Sequence, residues 1–184
     1  VIGSNFTNNK ANLEGGAIYT SSSVTVIDST FNNNTAGTNG GAIYSKGNVT
    51  VIGSTFNNNA VDGFGGVIYN TGNVNVTNST FNNNTAYSSG GAICTSGDNV
   101  TVSGSTFTNI TVGSSGGVIY TFYGGVTVSD STFTNITVGN SGVIWGKIDV
   151  NVYNSILTNI TTSISGAIYS QSGNVNVIGS IFKH

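Results

Sequence analysis

The side chains best suited to catalysis are carboxylates, and their spacing argues against an active site. Cleavage of a sugar polymer needs two carboxylates close together, or a carboxylate cluster that binds Ca²⁺. The chain has six acids, which are Glu14, Asp28, Asp62, Asp98, Asp130 and Asp149. Asp28 and Asp130 occupy the same position of a repeat but lie four repeats apart, and the only His is the final residue, His184. We therefore predict that the protein is not an enzyme.

Charged residues are too scarce for several classes of partner. They make up 5% of the chain, the net charge is −2, and the four basic residues are all Lys. A nucleic acid requires a dense basic surface, so we expect no nucleic-acid partner. Cys94 is the only Cys, so neither an internal disulfide nor a Cys-based metal site can form, and no motif predicts a cofactor. No apolar run is long enough to insert this segment into a membrane.

One position of the repeat carries an aromatic side chain and is the best candidate for ligand binding. We call it the aromatic column, and its members are Tyr19, Tyr44, Tyr69, Tyr120, Trp145 and Tyr169. Each follows an Ile, and the constant Ile favours a packed inward site that leaves the aromatic side chain outward. Outward aromatics can pack against sugar rings. The alternative is that the column only covers the sheet or belongs to the core. Cys94 interrupts it.

Three Asn residues are candidates for glycosylation if the protein is exported. Asn48, Asn75 and Asn99 each begin an Asn-x-Ser/Thr sequon, just ahead of or within the first predicted strand of a repeat. The sequons at Asn33, Asn83, Asn109, Asn135 and Asn159 fall at a corner that we predict to face inward. An inward amide cannot be modified after folding, so Asn48, Asn75 and Asn99 are the plausible sites.

The elements that position these residues recur about every 25 residues. The repeat is anchored by an aromatic or Leu residue at Phe6, Phe31, Phe56, Phe81, Phe107, Phe133, Leu157 and Phe182. The copies share the consensus VTVxxSTFxNNTAxxxGGAIYxxGN. A regular repeat of this length indicates a solenoid, so residues 1–184 form one elongated domain. The chain starts with VIGSNF and ends its last repeat with VIGSIF, in the same phase. We therefore expect it to be a fragment of a longer array without caps.

Each repeat contains three short apolar runs, typical of strands. The first is Val-x-Val, whose middle Thr or Asn we expect to point outward. The second is Ser-Thr-Phe, whose Ser shares parity with Phe and faces inward. The third is Gly-Gly-Ala-Ile-Tyr. Equivalent strands lie a full repeat apart, so they cannot form hairpins. The sequence predicts an all-β, right-handed parallel β-helix with about seven coils and three short strands per coil.

Asn and Gly supply the corners between strands. Asn tolerates the left-handed conformation and can satisfy buried backbone groups. One Asn position is filled in every coil, and we predict that it forms an inward amide ladder: Asn8, Asn33, Asn58, Asn83, Asn109, Asn135 and Asn159. Gly15 and Gly16, with their equivalents, serve the opposite corner, where a missing Cβ allows positive φ or close approach of neighbouring coils.

Two motifs carry a resemblance to known surface proteins. F-x-x-N is complete at Phe6/Asn9, Phe31/Asn34, Phe56/Asn59 and Phe81/Asn84, and it occurs together with G-G-A-[ILV]. The combination resembles the chlamydial polymorphic outer membrane protein repeat, and still more the adhesin-like surface proteins of methanogenic archaea. The resemblance covers nearly the whole chain. The second half departs from it, because Ile110, Ile136 and Ile160 replace the Asn.

The resemblance implies an extracellular, cell-surface β-helix with an adhesin-like or structural role and without catalysis. Its partner is then a host or neighbouring-cell surface, either protein or glycan. One alternative is a filament subunit that stacks end to end with itself. Another is a carbohydrate-binding β-helix, or an ice-binding one that uses the outward Thr/Asn positions. Ice binding requires two or more Thr columns at matched spacing, whereas Asn75, Asn151 and Asn176 interrupt the column on the Val strand.

Overall fold

A computed structural model of the chain describes residues 1–184 as an all-β, right-handed parallel β-helix of about seven coils. Three sheets run along the rod, and every strand pairs in parallel with its equivalent in the next coil. The valine sheet contains Val24–Ile27, Val49–Ile52, Val74–Thr77, Val100–Ser103, Val126–Ser129, Val150–Tyr153 and Val175–Ile178. The tyrosine sheet contains Ile18–Thr20, Ile43–Ser45, Ile68–Asn70, Ile93–Thr95, Ile119–Thr121, Ile144–Gly146 and Ile168–Ser170.

The third sheet, the phenylalanine sheet, is bent at a corner. Its first segment contains Asn5–Thr7, Thr30–Asn32, Thr55–Asn57, Thr80–Asn82, Thr106–Thr108 and Ile181–Lys183. Beyond the bend lie the two-residue strands Lys10–Ala11, Thr35–Ala36, Ala60–Val61, Thr85–Ala86 and Thr111–Val112. In two later coils the segments merge into the seven-residue strands Thr132–Val138 and Ile156–Thr162. The three predicted strands per coil are therefore confirmed, with one of them divided in the first five coils.

The core follows the predicted alternation. In the coils between the first and the last, both valines of the Val-x-Val strand are fully buried, as Val74 and Val76 show, while the residue between them points outward. The rings of the phenylalanine sheet stack inside the rod with centroids 4.7–4.9 Å apart. In the coils between the first and the last, the Ser two residues before the Phe or Leu is also buried. Its Oγ accepts a hydrogen bond from the backbone N–H of the preceding coil's Ser, as from Ser54 to Ser79 at 3.1 Å.

The predicted amide ladder is displaced by one residue. The Asn position predicted to face inward has positive φ in every coil, for example 55° at Asn58, but its side chain is exposed. The inward side chains belong to the next residue, which is Asn in four coils: Asn9, Asn34, Asn59 and Asn84. A left-handed residue turns the chain, so alternation counted from Phe fails beyond it.

The inward ladder satisfies buried backbone at the bend. The backbone N–H of Asn34 donates to Oδ1 of Asn59 at 3.0 Å, and Nδ2 of Asn34 donates to the same atom at 2.9 Å. Nδ2 of Asn59 donates to the Phe31 carbonyl at 3.0 Å. In later coils this position holds Ile110 and Ile136, which are buried in the apolar core. The departure from F-x-x-N thus exchanges a polar ladder for apolar packing.

The Gly-Gly pair uses both properties that the sequence predicted. Gly40 has a φ of +65°, and a Cβ on Gly41 would lie 2.2 Å from the carbonyl oxygen of Gly66 in the next coil. The first Gly therefore meets a conformational requirement and the second a steric one. Together they bring the tyrosine sheet close to the bent segment of the phenylalanine sheet.

Candidate ligand-binding face

The aromatic column lies on the outer face of the tyrosine sheet. The Ile that precedes each aromatic residue is inside, and Ile43, Ile68 and Ile119 are fully buried in the core. The inner rings are nevertheless largely covered: Tyr44 is only 7% exposed, whereas Tyr19, in the first coil, is 52% exposed. The predicted outward orientation is correct, and the coverage has a cause that the sequence did not indicate.

The rings cover one another by stacking along the rod. Tyr19 and Tyr44 have centroids 5.1 Å apart with planes 2° from parallel, and Tyr44 and Tyr69 are 5.6 Å apart at 13°. Tyr120 and Trp145 are closest, at 4.3 Å and 22°. Because each inner ring gives its faces to its neighbours, most of the column presents ring edges to solvent. It is therefore not a continuous platform for sugars.

Two aromatic side chains outside the column close the gap at Cys94. Phe64 and Phe122 belong to turns two coils apart, and their ring centroids meet at 5.6 Å in an edge-to-face arrangement. Phe64 lies 6.4 Å from Tyr69, and Phe122 lies 4.9 Å from Tyr120. Cys94 is completely buried, and burial raises the pKa of its thiol well above the ordinary value. The aromatic surface is thus continuous across the gap.

Removing this aromatic cover should expose the thiol. In a Phe122→Ala variant we expect Cys94 to react with a disulfide reagent at pH 8 on the order of ten times faster, because the thiol gains access and its pKa falls towards the ordinary range. Tyr87→Ala is the control, since Tyr87 is 70% exposed and lies outside the column. Equal rates in the two variants and the parent chain would show that Phe122 does not protect Cys94.

A cavity of about 380 Å³ opens beside the C-terminal part of the column. Tyr120, Trp145 and Tyr169 provide its aromatic surface. The remaining lining is Ser115, Gly116, Asn140, Ser141, Ile164, Ser165 and Gln171. None of these residues carries a carboxylate, ammonium or imidazole group. The cavity combines ring surfaces with neutral hydrogen-bonding groups.

A second, larger groove of about 660 Å³ follows the bent segment of the phenylalanine sheet across five coils. Small residues at the same strand position, including Ala11, Ala36 and Ala86, line it, with Lys10 and Asp62 as its charged groups. In the next coils Val112 and Val138 occupy that strand position and join the main core. Val61 shares this position and lines the groove with the three Ala residues, so the groove follows the first coils of the bent segment.

The other predicted site residues are spread over different surfaces. Asn48, Asn75 and Asn99 are all exposed. Oδ1 of Asn48 accepts a hydrogen bond from the backbone N–H of Asn73 at 2.9 Å, and Oδ1 of Asn99 accepts one from Gly125 at 2.8 Å. Neither bond uses the Nδ2 atom to which a glycan would attach.

The acidic residues do not form a cluster. No group of three or more His, Cys, Asp or Glu side chains comes together to hold a metal ion. Several carboxylates instead accept hydrogen bonds at turns: Oδ1 of Asp149 accepts from the backbone N–H of Asn174 at 2.7 Å, and Oδ1 of Asp130 accepts from Nδ2 of Asn154 at 3.3 Å. These contacts give the carboxylates a structural role.

Comparison with protein families agrees with this geometry. Residues 1–133 match the family described as "Right handed beta helix region". The chain belongs to the right-handed β-helix family. No curated protein and no solved structure matches it significantly. The structure contains no α-helix that is long and apolar enough to cross a membrane.

Sequence reasoning missed several residues around the β-helix surface. The residues missed in the turns, where the repeat is least regular, are Phe64, Phe122, Asn140 and Gln171. The only sequence feature that marks them is an aromatic or amide side chain a few residues from a member of the aromatic column. The outward Thr of the phenylalanine sheet was also overlooked: Thr30, Thr55, Thr80, Thr106 and Thr132 are in register. On the other side of the Phe, Thr108, Thr134 and Thr158 are also in register, whereas Asn32, Asn57 and Asn82 interrupt that column between Thr7 and Thr108.

Proposed function

We propose that this β-helix is an extracellular cell-surface segment with an adhesin-like or structural role, and that the tyrosine sheet is its contact face. The observation that carries the proposal is the uncharged cavity beside Tyr120, Trp145 and Tyr169 on the outer surface of a rigid rod. Surface glycans offer hydroxyl groups and apolar ring faces, which suit this combination of amides, hydroxyls and aromatic rings.

The composition of the outer faces supports a surface location. The residue between the two valines of the valine sheet is always Thr or Asn, and Thr or Asn fills most outward positions of the phenylalanine sheet. These two faces are therefore hydrated without a strong electric field. Charged residues amount to 5% of the chain. Such a surface suits contact with neutral polymers better than steering of charged ligands.

Catalysis is not part of the proposal. β-Helix domains include pectate lyase-like enzymes, whose chemistry on acidic sugar polymers requires grouped charged side chains. Here the carboxylates are dispersed and engaged at turns. A binding or structural role is therefore the better account of this chain.

A glycan array and a cell-binding assay with the labelled chain test the proposal. We expect binding to a subset of neutral glycans, reduced on the order of tenfold by Tyr169→Ala, which removes the 38%-exposed ring of the column. Thr101→Ala and Thr106→Ala, on the outer faces of the valine and phenylalanine sheets, are controls that should bind like the parent. An array and cells that bind nothing would contradict the proposal. Equal losses in all three variants would show that the tyrosine sheet is not the contact face.

A further inference from the structure

The cavity beside Trp145 has the character of a specific subsite. We propose that it binds one neutral pyranose unit of a glycan, with Trp145 and Tyr169 contacting the sugar ring and Asn140 and Gln171 binding its hydroxyl groups. This rests on the proposed function, because it assigns a ligand class to the same face. The subsite is a single place on the tyrosine sheet, so it can be disproved while the sheet remains the contact face.

The aromatic part of the subsite is the loosest contact in the column. Trp145 and Tyr169 have centroids 5.8 Å apart, whereas Trp145 and Tyr120 are 4.3 Å apart. Trp145 is 9% exposed and Tyr169 is 38% exposed. The indole is thus fixed by its close neighbour, while Tyr169 keeps ring surface open to the cavity. Trp145 is stacked between Tyr120 and Tyr169, so a fixed aromatic edge beside the more open ring of Tyr169 can contact the apolar C–H groups of a sugar.

The polar groups of the subsite are available to a ligand. The side-chain amides of Asn140 and Gln171 make no hydrogen bond within the chain, and only their backbone N–H groups do, to Ser114 and Gly146. Ser141 is buried, and its Oγ accepts the backbone N–H of Gly116 at 3.1 Å, which fixes that wall. Burial raises the pKa of the Tyr120 phenol, so it remains a neutral donor. Two free amides can each donate and accept, as vicinal hydroxyls require.

Size and charge restrict the class of ligand. A volume of about 380 Å³ lies at the lower end of the range for small-molecule sites. It therefore suits a single unit better than a long polymer segment. A uronic acid or sialic acid would lose hydration of its carboxylate without gaining a cationic partner, since no Lys, Arg or His lines the cavity. The chemistry selects a neutral sugar.

The single Trp of the chain provides a direct measurement. Trp145 is the only Trp, so its fluorescence reports on this cavity alone. The intact chain is titrated with methyl glycosides of glucose, galactose, mannose and N-acetylglucosamine, their short oligomers, and glucuronate. We expect a saturable change in emission with at least one neutral sugar, in the millimolar range for a monomer, and none with glucuronate.

Variants that keep the Trp reporter identify the binding groups. Asn140→Ala and Gln171→Ala should each weaken binding about three- to tenfold, the equivalent of one lost hydrogen bond. Asn75→Ala is the matched control, because Asn75 is an exposed amide on the valine sheet, and it should bind like the parent. Circular dichroism confirms that each variant is folded.

The outcomes separate this inference from the proposed function. If the array shows glycan binding but Trp145 emission does not respond, or if both amide variants bind like Asn75→Ala, the subsite is wrong and the contact face stands. Binding of glucuronate as tight as that of the neutral sugars also overturns the subsite. If neither the array nor cells bind the chain, the proposed function itself fails.

Discussion

A Phe81→Ala variant should lose about 3 to 5 kcal/mol of unfolding free energy, the usual effect of truncating a buried aromatic residue. Phe81 is fully buried between Phe56 and Phe107, whose ring centroids lie 4.9 and 4.7 Å away. The substitution removes two ring contacts and leaves a cavity that the rigid ladders on each side cannot close. Denaturant melts followed by circular dichroism measure the loss.

Thr101→Ala is the control for this prediction. Thr101 is exposed between the buried Val100 and Val102, so its replacement should change the unfolding free energy by about 0.5 kcal/mol or less. Similar losses in the two variants would show that the inside and outside of the coil are assigned incorrectly.

An Asn59→Ala variant should be the next most destabilised, by about 2 to 4 kcal/mol. Oδ1 of Asn59 accepts both the backbone N–H and Nδ2 of Asn34. Without it, the Asn34 N–H is buried and has no acceptor, and the Phe31 carbonyl loses the donor from Nδ2 of Asn59. Unpaired buried groups, rather than lost volume, account for this effect, which the same denaturant melts measure.

The neighbouring Asn58 provides controls that separate the two roles of Asn at the bend. Asn58 has a φ of 55° and an exposed side chain. Asn58→Gly should therefore be nearly neutral, while Asn58→Ala should cost about 1 to 2 kcal/mol because Ala disfavours the left-handed conformation. If Asn58→Ala proved more harmful than Asn59→Ala, the inward ladder would be assigned to the wrong residue.

The repeat predicted the strands because alternation is reliable inside them. Val, Phe and Ile occupy positions whose parity remains constant over three or four residues, and all three face inward in the structure. The prediction failed at the bend, where Asn33 adopts the left-handed conformation and the count from Phe31 no longer gives the direction of Asn34. Sequence periodicity does not record where a single residue reverses the backbone.

The candidate site was only partly predictable for a similar reason. The aromatic column follows the repeat, so its position and outward direction could be predicted. Phe64 and Phe122 come from turns of differing sequence and meet across two coils, a contact that no periodicity encodes. The cavity beside Trp145 also depends on turn residues, Asn140 and Gln171, whose placement results from how each turn folds.

The hydrogen bonds between coils have a mechanical consequence, since they run along the rod. Bonds such as that from the Val49 N–H to the Asn73 carbonyl, at 2.9 Å, join each coil to the next. Tension applied along the rod would load one coil boundary at a time and peel the outermost coil away. Each coil of about 25 residues would release roughly 80 Å of slack at full extension. The chain should therefore yield in a series of small, similar steps under load, absorbing work over a long distance instead of rupturing at once.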